Sequence, residues 1–292
     1  MDINATKVNY VRKKNYLVCI DSDGCAFDTM EIKHKECFCP ATIDNWGLQA
    51  ISKYAREAWE YVNLYSKTRG CNRFNALISV LDFLAERKEV KARNFRMPDY
   101  ESLRRWVEKA KILNNDEVAK QTADPVMART LEWSYDINRR VAKMVHGVPP
   151  FPFVRESLEC LSKIADIVIV SATPREALLK EWHEHQLDQY VALLGAQEDG
   201  SKKEIIEYVK RFYEPNKSIM IGDAPGDYDA ASTNGILFYP ICPNDEERSW
   251  EEFYKTVIDL FENEAYAGDE MKKRLDHFDQ CLPSTPPWAD HH

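Results

Sequence analysis

Short apolar runs and longer amphipathic segments follow one another along this chain. Residues 16–20 form an apolar run of strand length, which ends at Asp21. From about residue 30 to residue 145, apolar residues recur at the three- and four-residue spacing of helices, with charged residues between them. The predicted helices of this stretch are 50–65, 75–87, 99–113 and 125–144. The pattern therefore predicts one strand followed by an all-helical block that is long enough to be a domain.

After residue 152 the pattern changes to alternating strands and helices. Strands are predicted over 166–170, 191–194, 218–221 and 236–239, with helices over 174–185 and 201–212. This alternation is typical of the α/β class with a doubly wound parallel sheet, whose ligands bind beyond the carboxyl ends of the strands. Since 146–152 has the Gly and Pro content of a linker, the helical block is predicted to be an insertion in the sheet domain.

Three parts follow from these patterns. Residues 1–27 and 148–243 are predicted to form an α/β core, and residues 28–147 an inserted helical domain. Residues 244–292 are predicted to be a C-terminal helical extension, with a break near Gly268.

Composition narrows the classes of partner. The 292 residues are 44% hydrophobic and carry a formal net charge of -9, with a pI near 5.4, so we expect neither nucleic acid nor a membrane surface as a partner. No apolar stretch of roughly 18 residues occurs and the first residues do not resemble a secretory leader, so we expect a cytoplasmic protein. An anionic substrate would need a locally positive pocket, which a divalent cation could supply.

Cysteine and histidine give little indication of a zinc site. The eight cysteines are too few for a disulfide framework in a chain of this length, so we expect mostly reduced thiols. His34, Cys37 and Cys39 lie close together, but a second pair of ligands is not evident, and we do not expect zinc there. His183 and His185 have the wrong spacing to share one face of a helix.

The end of the first strand has a different character. Asp21 and Asp23 are two residues apart, so a strand carried through them would point both carboxylates to one side. Two such acids repel each other unless a cation or a shared proton separates them. Other polar residues also lie at strand ends or helix starts: Ser171, Thr173, Lys202, Lys203, Asp223 and Asp227. We therefore expect these side chains to converge at one edge of the sheet.

Four short motifs in this order resemble those of the haloacid dehalogenase (HAD) superfamily of aspartate-nucleophile hydrolases. They are Asp21-Ser22-Asp23-Gly24, Ser171-Ala172-Thr173, Lys202 within Gly200-Ser201-Lys202-Lys203-Glu204-Ile205-Ile206, and Gly222-Asp223-Ala224-Pro225-Gly226-Asp227. An isolated Asp-x-Asp would be weak evidence, whereas four motifs on the expected elements are specific. The resemblance covers roughly residues 14–28 and 147–243, and it implies a Rossmann-like core with an enlarged helical cap of the family's first type.

The resemblance also implies roles for the acids. Asp21 would attack phosphorus and form an acyl phosphate, and Asp23 would protonate the leaving oxygen and later deprotonate water. Mg²⁺ would be the cofactor, bound by Asp21, Asp223 and the backbone carbonyl of Asp23, and Asp227 would either bind it directly or hold its water ligands.

The remaining motif residues would bind the phosphoryl group. Lys202 would neutralise both the nucleophile and the phosphoryl oxygens, while Ser171, Ala172 and Thr173 would supply hydrogen bonds around it. Taken singly, Ser171 could equally start a helix and Lys202 could lie on a solvated face. Lys203 is the alternative to Lys202, because only one of two adjacent helical residues would face the site.

The helical block contains one candidate substrate contact. Arg69-Gly70-Cys71-Asn72-Arg73 is similar to the Gly-x-x-Arg specificity loop of the phosphoglucomutase-like branch, so Arg73 is a candidate ligand for a substrate anion. The alternative is that Arg69 and Arg73 are ordinary solvated residues at a helix start.

Asp23 selects among the chemistries of the family. Phosphatases and phosphomutases of this family have an acid two residues after the nucleophile, whereas dehalogenases lack it. The sequence therefore favours a magnesium-dependent phosphatase for a small phosphorylated metabolite. A phosphomutase of the beta-phosphoglucomutase type and a catalytically silent binding protein remain alternatives, and the substrate and oligomeric state stay open.

Overall fold

The computed structural model describes residues 10–289, which divide into two compact units. The sheet unit contains residues 10–29 and 147–283, and the helical unit contains residues 30–146 and 284–289. The predicted core and the predicted extension also include residues 1–9 and 290–292, which lie outside the described residues. The described part of the predicted extension is divided between the two units. Within residues 10–289, no helix combines the length and the hydropathy needed to span a membrane.

Five parallel strands form the centre of the sheet unit. They are β1 (Tyr16–Ile20), β2 (Ala165–Val170), β3 (Val191–Gly195), β4 (Ser218–Gly222) and β5 (Leu237–Pro240). Their order in the sheet is β3-β2-β1-β4-β5, which places β1 at the centre and confirms the predicted doubly wound parallel sheet. Tyr16 of β1 is opposite Ala165 of β2, and Leu17 of β1 is opposite Ser218 of β4.

Helices cover both faces of the sheet, which is why its strands are nearly continuous apolar runs. Val18 and Ile20 of β1 belong to one core, and Leu17 and Cys19 to the other, because successive side chains of a strand point to opposite faces. The helices on the face of Val18 are Val154–Ile164, Arg175–Glu184, Glu246–Glu252, the π-helical Phe253–Val257 and Ile258–Glu262. Those on the face of Leu17 are Lys202–Lys210, Pro225–Thr233 and Asp269–Cys281.

The inserted segment is helical throughout, as its periodicity predicts. Its helices are Thr29–Ile32, the π-helical Lys33–Phe38, Cys39–Trp46, Ser52–Asn63, Arg73–Glu86, Lys88–Ala92, Glu101–Lys109, Asn115–Ala119 and Pro125–Met144. Pro125 occupies the first position of the longest helix, and the Asp124 carboxylate accepts hydrogen bonds from the next backbone N–H groups. The buried aromatic side chains Trp59 and Trp133 pack within the unit, so they belong to its own core.

Trp288 contributes an aromatic side chain to the core of the helical unit. Trp288 packs edge-on against Tyr61 and Phe83, and the Arg87 guanidinium lies 4.6 Å from its ring centroid.

We expect Trp288→Ala to destabilise the helical unit by about 1–3 kcal/mol, since it removes a large ring and a cation–π contact. Hydrogen exchange of the helix Ser52–Asn63 measures this loss. Tyr135→Ala is the control, because Tyr135 is exposed on the longest helix; an equal loss in both variants would contradict the assignment of Trp288 to this core.

Candidate active site

The carboxyl ends of β1 and β4 bring three buried carboxylates together. Asp21 directly follows β1, Asp223 directly follows β4, and Asp227 lies in the first turn of the helix Pro225–Thr233. One carboxylate oxygen from each residue lies within 4.8 Å of the other two. Since these residues are only 0–5% exposed, water screens their repulsion poorly, and a cation or a shared proton has to offset it.

The turn after β4 determines the orientation of Asp227. Its Oδ2 atom accepts hydrogen bonds from the backbone N–H groups of Asp223 (3.2 Å) and Ala224 (3.1 Å). Any Cβ at position 222 would collide with the Asp227 side chain. The Asp227 carboxylate can therefore approach the backbone at the end of β4 only because residue 222 is glycine. Pro225 starts the helix and fixes the direction in which it leaves the turn.

Lys202 is the cationic partner of two of the acids. It is the first residue of the helix Lys202–Lys210, whose start is fixed by a reciprocal capping box between Ser201 and Glu204. The Lys202 Nζ atom lies 2.6 Å from Asp21 Oδ2 and 2.6 Å from Asp227 Oδ1. Lys203 instead pairs with the exposed Asp229, so Lys202 is the member of this adjacent pair that reaches the carboxylates.

Burial and charge determine the protonation of these groups. Burial raises the pKa of Asp21 well above its usual range; Lys202 opposes this effect, and Asp227 and Asp223 add to it. Burial lowers the pKa of Lys202, but the charges of Asp21 and Asp227 outweigh it and raise the pKa overall. Lys202 is therefore charged at every physiological pH, whereas the protonation of Asp21 depends on the cations nearby.

The donor set of this cluster fits Mg²⁺. Three carboxylates face one ammonium group, which leaves two negative charges unbalanced when all four groups are ionised. The three candidate ligands are oxygen donors only, and hard oxygen donors are the ligands that Mg²⁺ prefers. Asp21, Asp223 and Asp227 are thus the residues that would hold it.

Asp23 accepts hydrogen bonds from two hydroxyl groups. Thr173 donates a hydrogen bond of 2.7 Å to Asp23 Oδ2, and Thr29 donates one to Asp23 Oδ1. The backbone turns sharply after Asp23, with a left-handed φ of 74° at Gly24 and a 2.8 Å hydrogen bond from the Gly24 N–H to the Phe27 carbonyl. Thr29 cannot be identified from the sequence, because a hydroxyl six residues after an acid is no recognisable signal.

The loop after β2 connects Asp23 to the second motif. The Ser171 N–H donates to the Gly195 carbonyl (3.0 Å), and the Ser171 hydroxyl accepts from the Thr173 N–H (3.2 Å). Ser171 is buried, whereas Ala172 is exposed. The structure therefore brings Thr173 against Asp23 and uses Ser171 to shape the turn that presents it.

A second contact that the sequence did not reveal fixes the chain between the two acids. Ser22 donates its hydroxyl proton to Glu181 Oε2 (2.9 Å) and accepts a hydrogen bond of 2.9 Å from the Trp182 indole. Both partners lie on the helix Arg175–Glu184. Ser22 therefore connects the backbone between Asp21 and Asp23 to this helix.

Arg73 lies in the helical unit, as the first residue of the helix Arg73–Glu86. Its Nη1 atom donates to Ser134 Oγ (3.0 Å) and Asn138 Oδ1 (2.8 Å), and its guanidinium stacks over Phe38. Burial lowers the pKa of Arg73 to about 10, so it remains charged at neutral pH. These contacts give Arg73 a structural task inside the helical unit; its role in binding a substrate remains a prediction.

The ion pairs of Lys202 lead to a test of stability. Lys202→Met leaves Asp21 and Asp227 buried without a counter-charge, and we expect it to destabilise the sheet unit by about 3 kcal/mol in metal-free buffer. Hydrogen exchange of the β1 and β4 amides measures this loss, and added Mg²⁺ should reverse part of it.

Lys203→Met is the matched control for this test. It makes the same chemical change one residue along the helix, where Lys203 and Asp229 are both exposed, and should cost less than about 1 kcal/mol. Equal destabilisation by the two variants would show that the buried ion pairs of Lys202 contribute no more to the stability of the sheet unit than the exposed pair of Lys203.

The sheet order, the places of the four motifs and the inserted helical segment agree with the resemblance found in the sequence. The sheet unit has a doubly wound, Rossmann-like α/β fold, as the resemblance implies. No family model matches the sequence, and no curated protein matches it.

Among solved structures, the chain is similar to a haloacid dehalogenase-like hydrolase from Streptococcus pneumoniae (13% identity, TM-score 0.46), covering 81% of this chain and 91% of the other. It is also similar to a structure described as a haloacid dehalogenase-like hydrolase from Bacteroides fragilis (14% identity, TM-score 0.49, 81% and 93% covered). Likenesses of this size carry no information about activity, so the chemistry has to be inferred from the side chains of this chain.

Proposed function

We propose that this chain is a magnesium-dependent phosphatase that hydrolyses a small phosphorylated metabolite through an aspartyl-phosphate intermediate. One observation carries the proposal: the buried Asp21 carboxylate touches Lys202 and lies within 4.8 Å of two further acids, while the neighbouring Asp23 accepts hydrogen bonds from two threonine hydroxyls. Two acids in such different surroundings suit two different roles.

In the first half of the reaction, Asp21 acts as the nucleophile. Its carboxylate oxygen forms a bond to phosphorus as the bond from phosphorus to the ester oxygen breaks. Asp23 gives its proton to that leaving oxygen, so the alcohol departs in neutral form.

The second half regenerates both acids. Asp23, now ionised, takes a proton from water, and the water oxygen forms a bond to phosphorus as the acyl phosphate bond breaks. Inorganic phosphate leaves, Asp21 is again a carboxylate, and Asp23 is again protonated.

Charge neutralisation is the other requirement. Lys202 contacts Asp21, so its ammonium group is placed to balance the phosphoryl oxygens as they approach the nucleophile. Mg²⁺ held by Asp21, Asp223 and Asp227 would supply further positive charge for those oxygens. The anionic substrate could then enter a site that otherwise carries excess negative charge.

Cys25 is another nucleophilic side chain near these acids, and its chemistry is unsuitable. Burial raises the pKa of its thiol well above the usual value, and the charges of Asp223 and Asp21 raise it further. A neutral thiol is a poor nucleophile, and this one lies 3.5 Å from the Ile221 carbonyl oxygen, to which it donates.

The test is a phosphate-release screen with sugar phosphates, nucleotides and phosphorylated acids, in Mg²⁺ and in EDTA. We expect release from at least one class in Mg²⁺ and none in EDTA. Formation of a phosphate isomer without release of inorganic phosphate would replace phosphatase with phosphomutase. No turnover, together with no aspartyl-phosphate mimic in beryllium fluoride, would overturn the proposal in favour of a catalytically silent protein.

A further inference from the structure

A second group of metal-ligating atoms lies in the sheet unit, and it shares no residue with the acids described above. Cys242 lies two residues after β5, and His277 and Cys281 lie on the helix Asp269–Cys281. One ligand atom from each of these residues lies within 4.8 Å of the other two. His277 and Cys281 are four residues apart, so their side chains leave the same face of the helix.

The spacing of these atoms is close to that of a tetrahedral zinc site. Cys281 Sγ lies 3.8 Å from His277 Nε2. With Zn–S of about 2.3 Å and Zn–N of about 2.1 Å, tetrahedral angles put those two ligand atoms about 3.6 Å apart. The Cys242 and Cys281 Sγ atoms lie within 4.8 Å of each other. The His277 and Cys281 atoms could therefore bind one metal ion with shifts of a few tenths of an ångström, and Cys242 Sγ lies within 4.8 Å of both.

The fourth position of such a site has space for a ligand. A cavity of about 70 Å³ adjoins the cluster and is lined by Cys242, His277 and Asp245, among others. Such a volume accommodates water. A water molecule could complete the coordination.

Surrounding contacts hold the ligands in place before any metal binds. The Cys242 N–H donates to Ser249 Oγ (3.1 Å), and Ser249 Oγ donates to the Asp245 carbonyl (2.8 Å). On the helix, Phe278 is buried in the core of the sheet unit, and Arg274 forms ion pairs with Glu252 and Glu270. Preorganised ligands of this kind favour metal binding, because little conformational entropy is lost.

We propose that Cys242, His277 and Cys281 form a binding site for a thiolate-preferring divalent metal ion of the Zn²⁺ type, distinct from the carboxylate cluster. Two thiolates and an imidazole are soft or borderline ligands, whereas Asp21, Asp223 and Asp227 offer hard oxygen atoms. Bound metal would connect the loop after β5 to the last helix of the sheet unit, and so stabilise that helix.

The test uses Co²⁺ as a spectroscopic probe, added to the full, reduced and metal-free chain. We expect one equivalent of Co²⁺ to produce thiolate-to-cobalt charge transfer and the d–d bands of tetrahedral coordination, and one equivalent of Zn²⁺ to remove them. Zn²⁺ should also slow hydrogen exchange in the helix Asp269–Cys281.

Variants separate this site from other thiols and from the acids. Cys242→Ser, Cys281→Ser and His277→Asn should each weaken Co²⁺ binding by about 100-fold or more. His277 is exposed, so its variant keeps the proposal testable if a cysteine variant fails to fold. Cys160→Ser removes a half-buried thiol elsewhere in the sheet unit, and Asp223→Asn alters the carboxylate cluster; both should leave the charge-transfer band unchanged.

Three results would overturn the proposal. The first is a Co²⁺ spectrum without charge transfer from thiolate, and the second is a spectrum that the three ligand variants do not change. The third is a Cys242–Cys281 disulfide in the intact mass of protein isolated without reductant, combined with no binding of Co²⁺ after reduction. None of these results bears on the proposed phosphatase activity, which depends on other residues.

Discussion

Asp21→Asn should lower kcat for the best substrate of the screen by at least about 10⁴-fold, the order of loss seen when a covalent nucleophile is removed. The amide has the shape of the carboxylate and can still accept the 2.8 Å hydrogen bond from the Ser22 N–H. It cannot attack phosphorus to give an acyl phosphate. Steady-state phosphate release measures the loss, and beryllium fluoride should no longer form the aspartyl-phosphate mimic.

Asp229→Asn is the control for this variant. It makes the same change at an exposed carboxylate in the sheet unit and should leave kcat within about twofold, as expected for a surface substitution. Circular dichroism and hydrogen exchange of β1 establish that Asp21→Asn retains the sheet. Undiminished turnover by a pure, folded Asp21→Asn protein would rule out Asp21 as the nucleophile.

Asp23→Asn should have the second largest effect, and its size should depend on the leaving group. For an alkyl phosphate we expect kcat to fall by about 10²–10⁴-fold, because the departing alkoxide is no longer protonated. For p-nitrophenyl phosphate the leaving group is a stable phenolate, so the first turnover should stay close to the wild-type rate. Later turnovers should be slow, because Asp23 is also the base that activates water.

Rapid mixing distinguishes these steps as a burst of nitrophenolate followed by a slow phase. Thr173→Val is the companion variant: it removes one hydroxyl that orients Asp23 and keeps the acid itself, so a smaller loss with the same dependence on leaving group is expected. If Asp23→Asn slows the first turnover of both esters equally, Asp23 does not act as the acid.

The strands could be predicted because each has a simple physical signature. A strand covered by helices on both faces has to be apolar at nearly every position, as residues 165–170 are. The motifs directly follow such runs, so their convergence could be inferred from the rule that parallel strands end at one edge. The sequence predicts that one of two adjacent lysines is the charge partner of Asp21. The structure shows that it is Lys202, because Lys203 leaves the helix in another direction and pairs with Asp229.

What could not be predicted depends on distant parts of the chain. The helix Val154–Ile164 is absent from the prediction, because Pro-rich sequence precedes it and Phe153 enters it with a left-handed φ of 69°. Glu181 carries no signal that connects it with Ser22, since only the packed helix brings them together. Cys242 and His277 likewise meet only because the last helix packs beside β5.

The sheet order has a consequence for the chain as it is synthesised. β1 pairs on both sides, with β2 and β4, and both partners follow the whole helical insertion. Two unpaired edges of an apolar strand are a hazard for aggregation. During translation β1 must therefore remain without partners while the inserted helices form, and a chain stalled after the insertion should depend on chaperones far more than the complete protein. Ribosome-bound chains ending before and after β4 would reveal this difference as a loss of chaperone crosslinking once β4 has emerged.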